Sequence, residues 1–327
     1  MSLKDIEEAY HRIKNVINKT PVMTSRTLNE ITGASVFLKC ENFQRIGAFK
    51  FRGAYNALNL LSQEQKKLGI ITHSSGNHAQ AVALAASILG IHATIVMPKG
   101  APINKINATK AYGAEVVFCD NSLESRSQTT NKLIEKHNYL LIHPFNNENV
   151  IRGAGTAAYE LIKEIGSLDI IIAPLGGGGL LSGTAIATWG LNPETKVYGV
   201  EPSMADDALR SLQAGYIIPS TYPNTIADGL RTSLCERTFN YIKKYVDGIL
   251  TVSELEILEA MRFLWERMKL VVEPSGAVPI AALLSNKIET KNKKIGVIIS
   301  GGNVVLDKFF QQLEENLLNK QKGIKHN

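Results

Sequence analysis

Short apolar runs rich in Val and Ile recur along nearly the whole chain, separated by amphipathic segments. The runs at 35–40, 69–73, 93–97, 115–119, 140–143, 170–173, 196–200, 249–252 and 294–299 are continuous rather than alternating, as strands buried on both faces should be. Segments between them, for example 49–61, 79–89, 103–111, 123–137, 155–164, 180–189, 253–268 and 275–284, predict helices. Alternating β and α elements imply an α/β fold with parallel-rich sheets covered by helices. So many strands in a chain of this length suit two sheets, hence two domains, better than one. Clusters of Pro, Gly and Asn at 100–104, 144–149 and 219–224 mark loops, and no internal repeat is present.

Two stretches, 74–98 and 170–193, contain no Asp, Glu, Lys or Arg and are long enough to span a bilayer. Pro174 and four successive glycines in the second would leave backbone groups unpaired in lipid, and the first holds Asn77, His78, Gln80 and His92. Both are expected to be buried strand–turn–helix units. The N-terminal segment is a polar amphipathic helix without a signal-peptide apolar core.

The 327 residues are 44% hydrophobic and 20% charged, ordinary globular usage that excludes a disordered chain. Such a chain buries about three quarters of its unfolded surface and needs no disulfide or zinc staple. Lys and Arg outnumber Asp and Glu by 36 to 30. The basic clusters at 291–294 and 319–325 are short and read as solvated edges, so nucleic acid is not the expected partner; the positive balance suits an anionic cofactor or substrate. Cys40, Cys119 and Cys235 are odd in number and lack zinc spacing, which points to a reducing, cytoplasmic setting.

In open α/β sheets ligands gather beyond the carboxyl ends of strands. Three loops there carry candidate chemistry. Gly176, Gly177, Gly178 and Gly179 follow the run 169–174 and precede a helix. Glycines let backbone N–H groups approach an anion, and the helix adds its positive end. The loop matches neither GxGxxG nor the P-loop and carries no Lys, so a single phosphate fits better than a dinucleotide or ATP. A flexible surface loop is the plain alternative. The turn Ser74, Ser75, Gly76, Asn77 and His78 opens the next helix; it is either simple capping or a receptor for a carboxylate. Lys50 stands between Phe49 and Phe51. It is either a snorkelling side chain or a desolvated amine with a lowered pKa, fit for Schiff-base chemistry. Ser300-Gly301-Gly302-Asn303 follows the last strand and is either a tight turn or a fourth part of the site.

A buried lysine, a single-phosphate loop and small polar groups at strand ends together suggest pyridoxal phosphate. The chain resembles the fold-type II pyridoxal-phosphate enzymes of the serine/threonine dehydratase and serine racemase family, related in fold to the tryptophan synthase β chain. The resemblance rests on FKFRGA at 49–54, HSSGNHAQA at 73–81, GGGGL at 176–180, VEPSMADD at 200–207, ADGLRTS at 227–233, WERMKLVVEPSGA at 265–277 and SGGN at 300–303. These run in family order from one end of the chain to the other.

The resemblance implies that Lys50 holds the cofactor covalently and later moves the Cα proton. It implies that Gly176 to Gly179 hold the phosphate, Asn77 bonds the ring hydroxyl, Phe49 packs beside the ring and Ser300 faces the pyridine nitrogen. Ser74, Ser75, Gly76 and Asn77 would dock the substrate carboxylate, Ser75 would serve as a base on the opposite face, and Arg126 would close toward substrate. Glu201, Ala205 and Asp207 fall on the racemase branch's divalent-cation site, suited to Mg, Ca or Mn; a solvated acidic loop is the alternative. Phe145 looks more like the bacterial threonine dehydratases. A large domain of 1–60 plus 147–327 and a small mobile domain of 61–146 are expected, as are a homodimer and the absence of an appended regulatory domain. The expected activity is an L-threonine/L-serine ammonia-lyase giving 2-oxobutanoate or pyruvate plus ammonia, with some serine racemase activity. A dedicated serine racemase, a 3-hydroxyaspartate dehydratase and a non-catalytic PLP- or anion-binding module are the alternatives.

Overall fold

The computed structural model describes residues 1–74, 76–101, 103–221, 223–306, 310 and 311. Its strands are β1 (Val22–Met23), β2 (Ser35–Cys40), β3 (Ile70–His73), β4 (Ala93–Pro98), β5 (Glu115–Cys119), β6 (Leu140–Leu141), β7 (Ile170–Pro174), β8 (Lys196–Pro202), β9 (Gly248–Val252) and β10 (Lys294–Ile299). They form a six-stranded sheet in the order β1-β2-β10-β7-β8-β9 and a four-stranded sheet in the order β5-β4-β3-β6. Every pairing is parallel except the short β1 against β2. β7 and most of β10 are buried along their lengths, which is why their sequences read as unbroken apolar runs. The charge-free stretches hold helix Asn77–Leu89 with β4, directly after β3, and β7 with helix Gly179–Leu191. Among the described residues no helix is long and apolar enough to cross a membrane.

Helix Lys50–Asn59 is the keel between the two sheets. Its buried face, including Phe51, Ala54 and Leu58, shares one apolar cluster with Ile70, Ala79, Val82 and Ile95 of the four-stranded side. On its other side it lies against helix Glu148–Ile165 so closely that a Cβ on Gly53 would come within 2.6 Å of the Val150 carbonyl oxygen. Arg52, one residue before Gly53, is fully buried and binds Glu41 Oε2 at 2.7 Å and Glu160 Oε2 at 2.8 Å. Lys39 Nζ also reaches Glu160 Oε2, at 2.6 Å. This network ties β2, the keel helix and helix Glu148–Ile165 together. A buried pair is costly to break because the abandoned charge stays in low dielectric.

The segment 253–268 is not one regular helix. The α-helix ends at Phe263, Leu264–Met268 winds as a π-helix, and Lys269 stops it in the left-handed conformation at φ 59°. That break turns the chain inward toward Glu273. The helix expected at 155–164 begins earlier, at Glu148, because the Asn147 side chain caps it by accepting from the N–H groups of Asn149 and Val150.

Candidate active site

The carboxyl ends of strands from both sheets meet at Lys50. The segment leading into its helix is fastened to the turn after β10: Phe49 N–H donates to Ser300 O at 2.9 Å, Gly302 N–H donates to Gly47 O at 2.9 Å, and Ala48 bridges Gly301. Lys50 Nζ donates to Pro144 O, just beyond β6, at 3.2 Å and lies 5.0 Å from the centroid of the Phe49 ring. Burial pushes the amine down from 10.5 to about 8, against the pull of the nearby Glu273 charge. At pH 7.5 roughly a quarter of such an amine is neutral and nucleophilic.

Gly176 to Gly179 lie between β7 and the helix Gly179–Leu191, packed against Phe145 and the turn Asp228–Leu230. A Cβ on Gly176 would stand 2.9 Å from Leu230 Cα, one on Gly177 would overlap the Phe145 ring, and Gly178 has φ +84°. The first helix bond of this segment runs from Ser182 N–H to Gly178 O at 2.9 Å, so the N–H groups of Gly179, Leu180 and Leu181 ahead of it are left for another acceptor. Open donors, a helix start and a loop that excludes side chains fit a phosphate group.

Ser74, Gly76 and Asn77 follow β3, with Gly76 at the N-cap of helix Asn77–Leu89 and its N–H donating to Ser74 Oγ at 3.2 Å. Ser75 lies outside the described residues. Asn77 Nδ2 donates to Glu273 Oε1 at 2.7 Å, and Asn77 Oδ1 accepts from Asn303 Nδ2 at 2.9 Å. The amide is therefore held in one orientation, with one N–H still available. Ser300 is buried at the end of β10.

Glu273 was not singled out by the sequence. It is 3% exposed, and burial, aided by the charge of Asp228, pushes its carboxyl up to about 7. A Cβ on Gly301 would stand 2.5 Å from its Oε1, so glycine there makes room for the carboxyl. Its position inside the apolar–Glu–Pro segment 271–274 was the available signal. Three histidines surround the other side. Burial lowers His73, His78 and His143, the last to about 4, and the Lys50 charge adds to the effect on His78 and His143. They are neutral near pH 7.

Arg126 stands near His73 and Cys119, at the ends of β3 and β5, and its Nε is buried without a partner among the described residues. Farther along the six-stranded sheet, Glu201 of β8 accepts from the N–H groups of Ala208 at 3.2 Å and Leu209 at 3.0 Å. Both carboxylate oxygens of neighbouring Asp207 are buried without a hydrogen-bond partner among the described residues. Burial pushes Glu201 up to about 8 and Asp207 up to about 6. Among the described residues no group of three or more His, Cys, Asp or Glu side chains is assembled for a metal, so a cation there would need carbonyl oxygen, such as that of Ala205, and water as well.

The chain is 50% identical over 310 residues to the serine racemase of Dictyostelium discoideum, covering 94% of this chain and 96% of that protein. It is 49% identical over 306 residues to the L-threo-3-hydroxyaspartate ammonia-lyase of Saccharomyces cerevisiae, covering 93% and 94%. The crystal structure of the T.th. threonine deaminase superposes with a TM-score of 0.88 at 45% identity, covering 93% of this chain and 99% of that one. The family profile of pyridoxal-phosphate dependent enzymes matches residues 13–301, from the first helix through Lys50 and the glycine loop to the turn after β10, and the chain belongs to that family.

Proposed function

We propose that the protein is a β-hydroxy amino acid ammonia-lyase that converts L-serine to pyruvate and L-threonine to 2-oxobutanoate, each with release of ammonia, and that racemises serine as a side reaction. The observation that carries this reading is the buried Lys50 amine, lowered to about 8 and bonded to Pro144 O, in a chain that also offers an open phosphate receptor and a turn suited to a carboxylate. The relatives are a serine racemase, a 3-hydroxyaspartate ammonia-lyase and a threonine deaminase; racemisation and β-elimination of an amino acid both require loss of the proton at Cα, which supports the common step and leaves the substrate open.

Pyridoxal phosphate, when bound, supplies the electron sink that makes the Cα–H bond acidic. The chain does the rest. Gly176 to Gly179 would receive the phosphate, and Asn77, held by Glu273 and Asn303, would present its remaining N–H to the ring hydroxyl. Phe49 would pack beside the ring. Ser300 would offer the pyridine nitrogen a neutral hydroxyl rather than a carboxylate, which would favour loss of the β-hydroxyl over transamination. Ser74, Gly76 and Asn77 orient the substrate carboxylate, and Lys50 takes the proton from Cα. Ser75 is assigned the role of a second proton-transfer group, which would permit inversion. Residues 61–146 act as a small unit whose closure on 1–60 plus 147–327 excludes water, with Arg126 moving toward substrate. A divalent cation is assigned to Glu201, Asp207 and the Ala205 carbonyl; the unpartnered Asp207 oxygens support it.

Incubating the purified protein with L-serine, L-threonine and threo-3-hydroxyaspartate, with 2-oxo acid and chiral serine analysis, tests the reading. Pyruvate from serine that outpaces D-serine is expected. D-serine formation outrunning pyruvate makes the protein a racemase first. Borohydride reduction is expected to attach the cofactor to the peptide containing Lys50 and not to a Lys50→Ala variant.

A further inference from the structure

The crossing from β6 to helix Glu148–Ile165 carries two contacts on which the site depends. Pro144 O accepts the only hydrogen bond that Lys50 Nζ makes among the described residues, at 3.2 Å. Phe145, the next residue, stands against the glycine loop: a Cβ on Gly177 would overlap its ring, and one on Gly179 would lie 3.0 Å from its Cβ. The amine and the phosphate receptor are thus both referred to one short stretch of chain. A free loop there would let the carbonyl turn away from the amine and the ring swing off the glycines.

His143 prevents this. Its Nδ1 accepts from the N–H of Phe145 at 3.3 Å and from that of Asn146 at 2.9 Å. The same pattern recurs at Asn147, whose Oδ1 accepts from Asn149 at 2.9 Å and from Val150 at 3.2 Å. Two side-chain caps in tandem therefore carry the chain from the sheet into the helix. The imidazole adds a contact that an amide lacks. Its ring meets the Phe145 ring edge to face, with centroids 4.6 Å apart and planes at 90°, and meets the His73 ring at 5.6 Å and 86°. An Nδ1 that accepts two N–H groups carries no proton, so the ring is neutral with its proton on Nε2. Burial first, then His73 and Lys50, keep it neutral near pH 7. A carboxylate in its place would make the same bonds but would hold the neighbouring Lys50 amine protonated.

We propose that His143 is a positioning residue of the reaction: by capping the turn 143–146 it sets Pro144 O to receive the Lys50 amine and sets the Phe145 ring behind the glycine loop. This rests on the reading that Lys50 carries the cofactor and moves the Cα proton, and deepens it by naming the residue that places the amine.

The test compares wild type with His143→Leu, which removes the acceptor and keeps the bulk, and His143→Asn, which supplies an acceptor oxygen as Asn147 does. Cofactor titration of the apoproteins shows binding weakened about 10-fold in His143→Leu. At saturating cofactor, kcat with L-serine falls about 10- to 100-fold while KM moves less than about 2-fold, because the substrate is held by other residues and the base is misplaced. Cα-deuterated L-serine gives a larger isotope effect on kcat than in the wild type, a ratio that mere loss of folded enzyme leaves unchanged. His143→Asn recovers most of both losses. Nitrogen NMR of apoprotein labelled at histidine, assigned by the signal lost in His143→Asn, shows Nδ1 bare and Nε2 protonated at pH 7; this arm needs neither a stable leucine variant nor turnover. A protonated Nδ1, an asparagine variant no better than the leucine variant, or a leucine variant with unchanged cofactor affinity and isotope effect overturns the assignment. No turnover of any hydroxy amino acid defeats the lyase reading, while the NMR and cofactor arms still decide on His143.

Discussion

Replacing Glu273 with Gln isolates the energetic role of the carboxyl that accepts from Asn77. In the folded protein this group is pushed up from 4.5 to about 7 by burial and then by the charge of Asp228. A displacement of that size corresponds to about 3 kcal/mol between the two protonation states. Below pH ~4.5 the carboxyl is protonated whether the chain is folded or unfolded, and its raised folded pKa leaves stability intact. As pH rises toward 7 the unfolded chain ionises first, so stability falls, and the full loss is reached above 7. Gln keeps a carbonyl oxygen for the Asn77 N–H and cannot ionise. The variant should therefore gain on the wild type by roughly 2–3 kcal/mol between pH 5 and pH 8. At about 2.1 cal/mol/K of unfolding entropy per residue, 327 residues give a gain of roughly 4 °C in midpoint. The measurement is thermal unfolding of both apoproteins at a series of pH values; the apo form avoids the change of charge at Lys50 when the cofactor attaches. Comparing the two proteins cancels the other perturbed carboxyls, Glu201 and Asp207. A midpoint gap that stays constant from pH 5 to pH 8 would refute the reasoning.

Three further outcomes are expected. Gly177→Ala places a methyl group into the Phe145 ring and should weaken cofactor binding, measured by cofactor titration; Phe145→Ala in the same chain should restore part of it, and no restoration would mean the methyl acts elsewhere. Arg52→Ala strands Glu41 and Glu160 in the interior and should cost about 3–5 kcal/mol in chemical unfolding, while Arg52→Met combined with Glu41→Gln and Glu160→Gln should cost much less. Mg²⁺ at a hundred times its dissociation constant should stabilise the protein by about 2.7 kcal/mol. With Glu201 pushed up to about 8 and Asp207 up to about 6, protons compete below those values, so the effect should grow from pH 6 to pH 8.5 and vanish in Glu201→Gln.

The difference between what the sequence discloses and what it hides follows from distance along the chain. Parallel strands buried on both faces announce themselves as unbroken apolar runs, and β7 and β10 lie where those runs predict. β1 is two residues long and carries no such run. Helix Arg26–Thr32 buries only Leu28 and Thr32, too few positions to set a period. At the site, Gly176–Gly179 and the flanked Lys50 are legible because a phosphate loop and a desolvated amine need particular residues side by side. Glu273 is not. It gains its meaning from Asn77, 196 positions away. It is an ordinary charged residue until β3 and β10 bring its partner within hydrogen-bond reach. Residues proposed to hold the cofactor through the backbone or by covalent attachment are thus marked locally. Those that set the orientation of Asn77 are marked only by burial, and burial is a property of the fold.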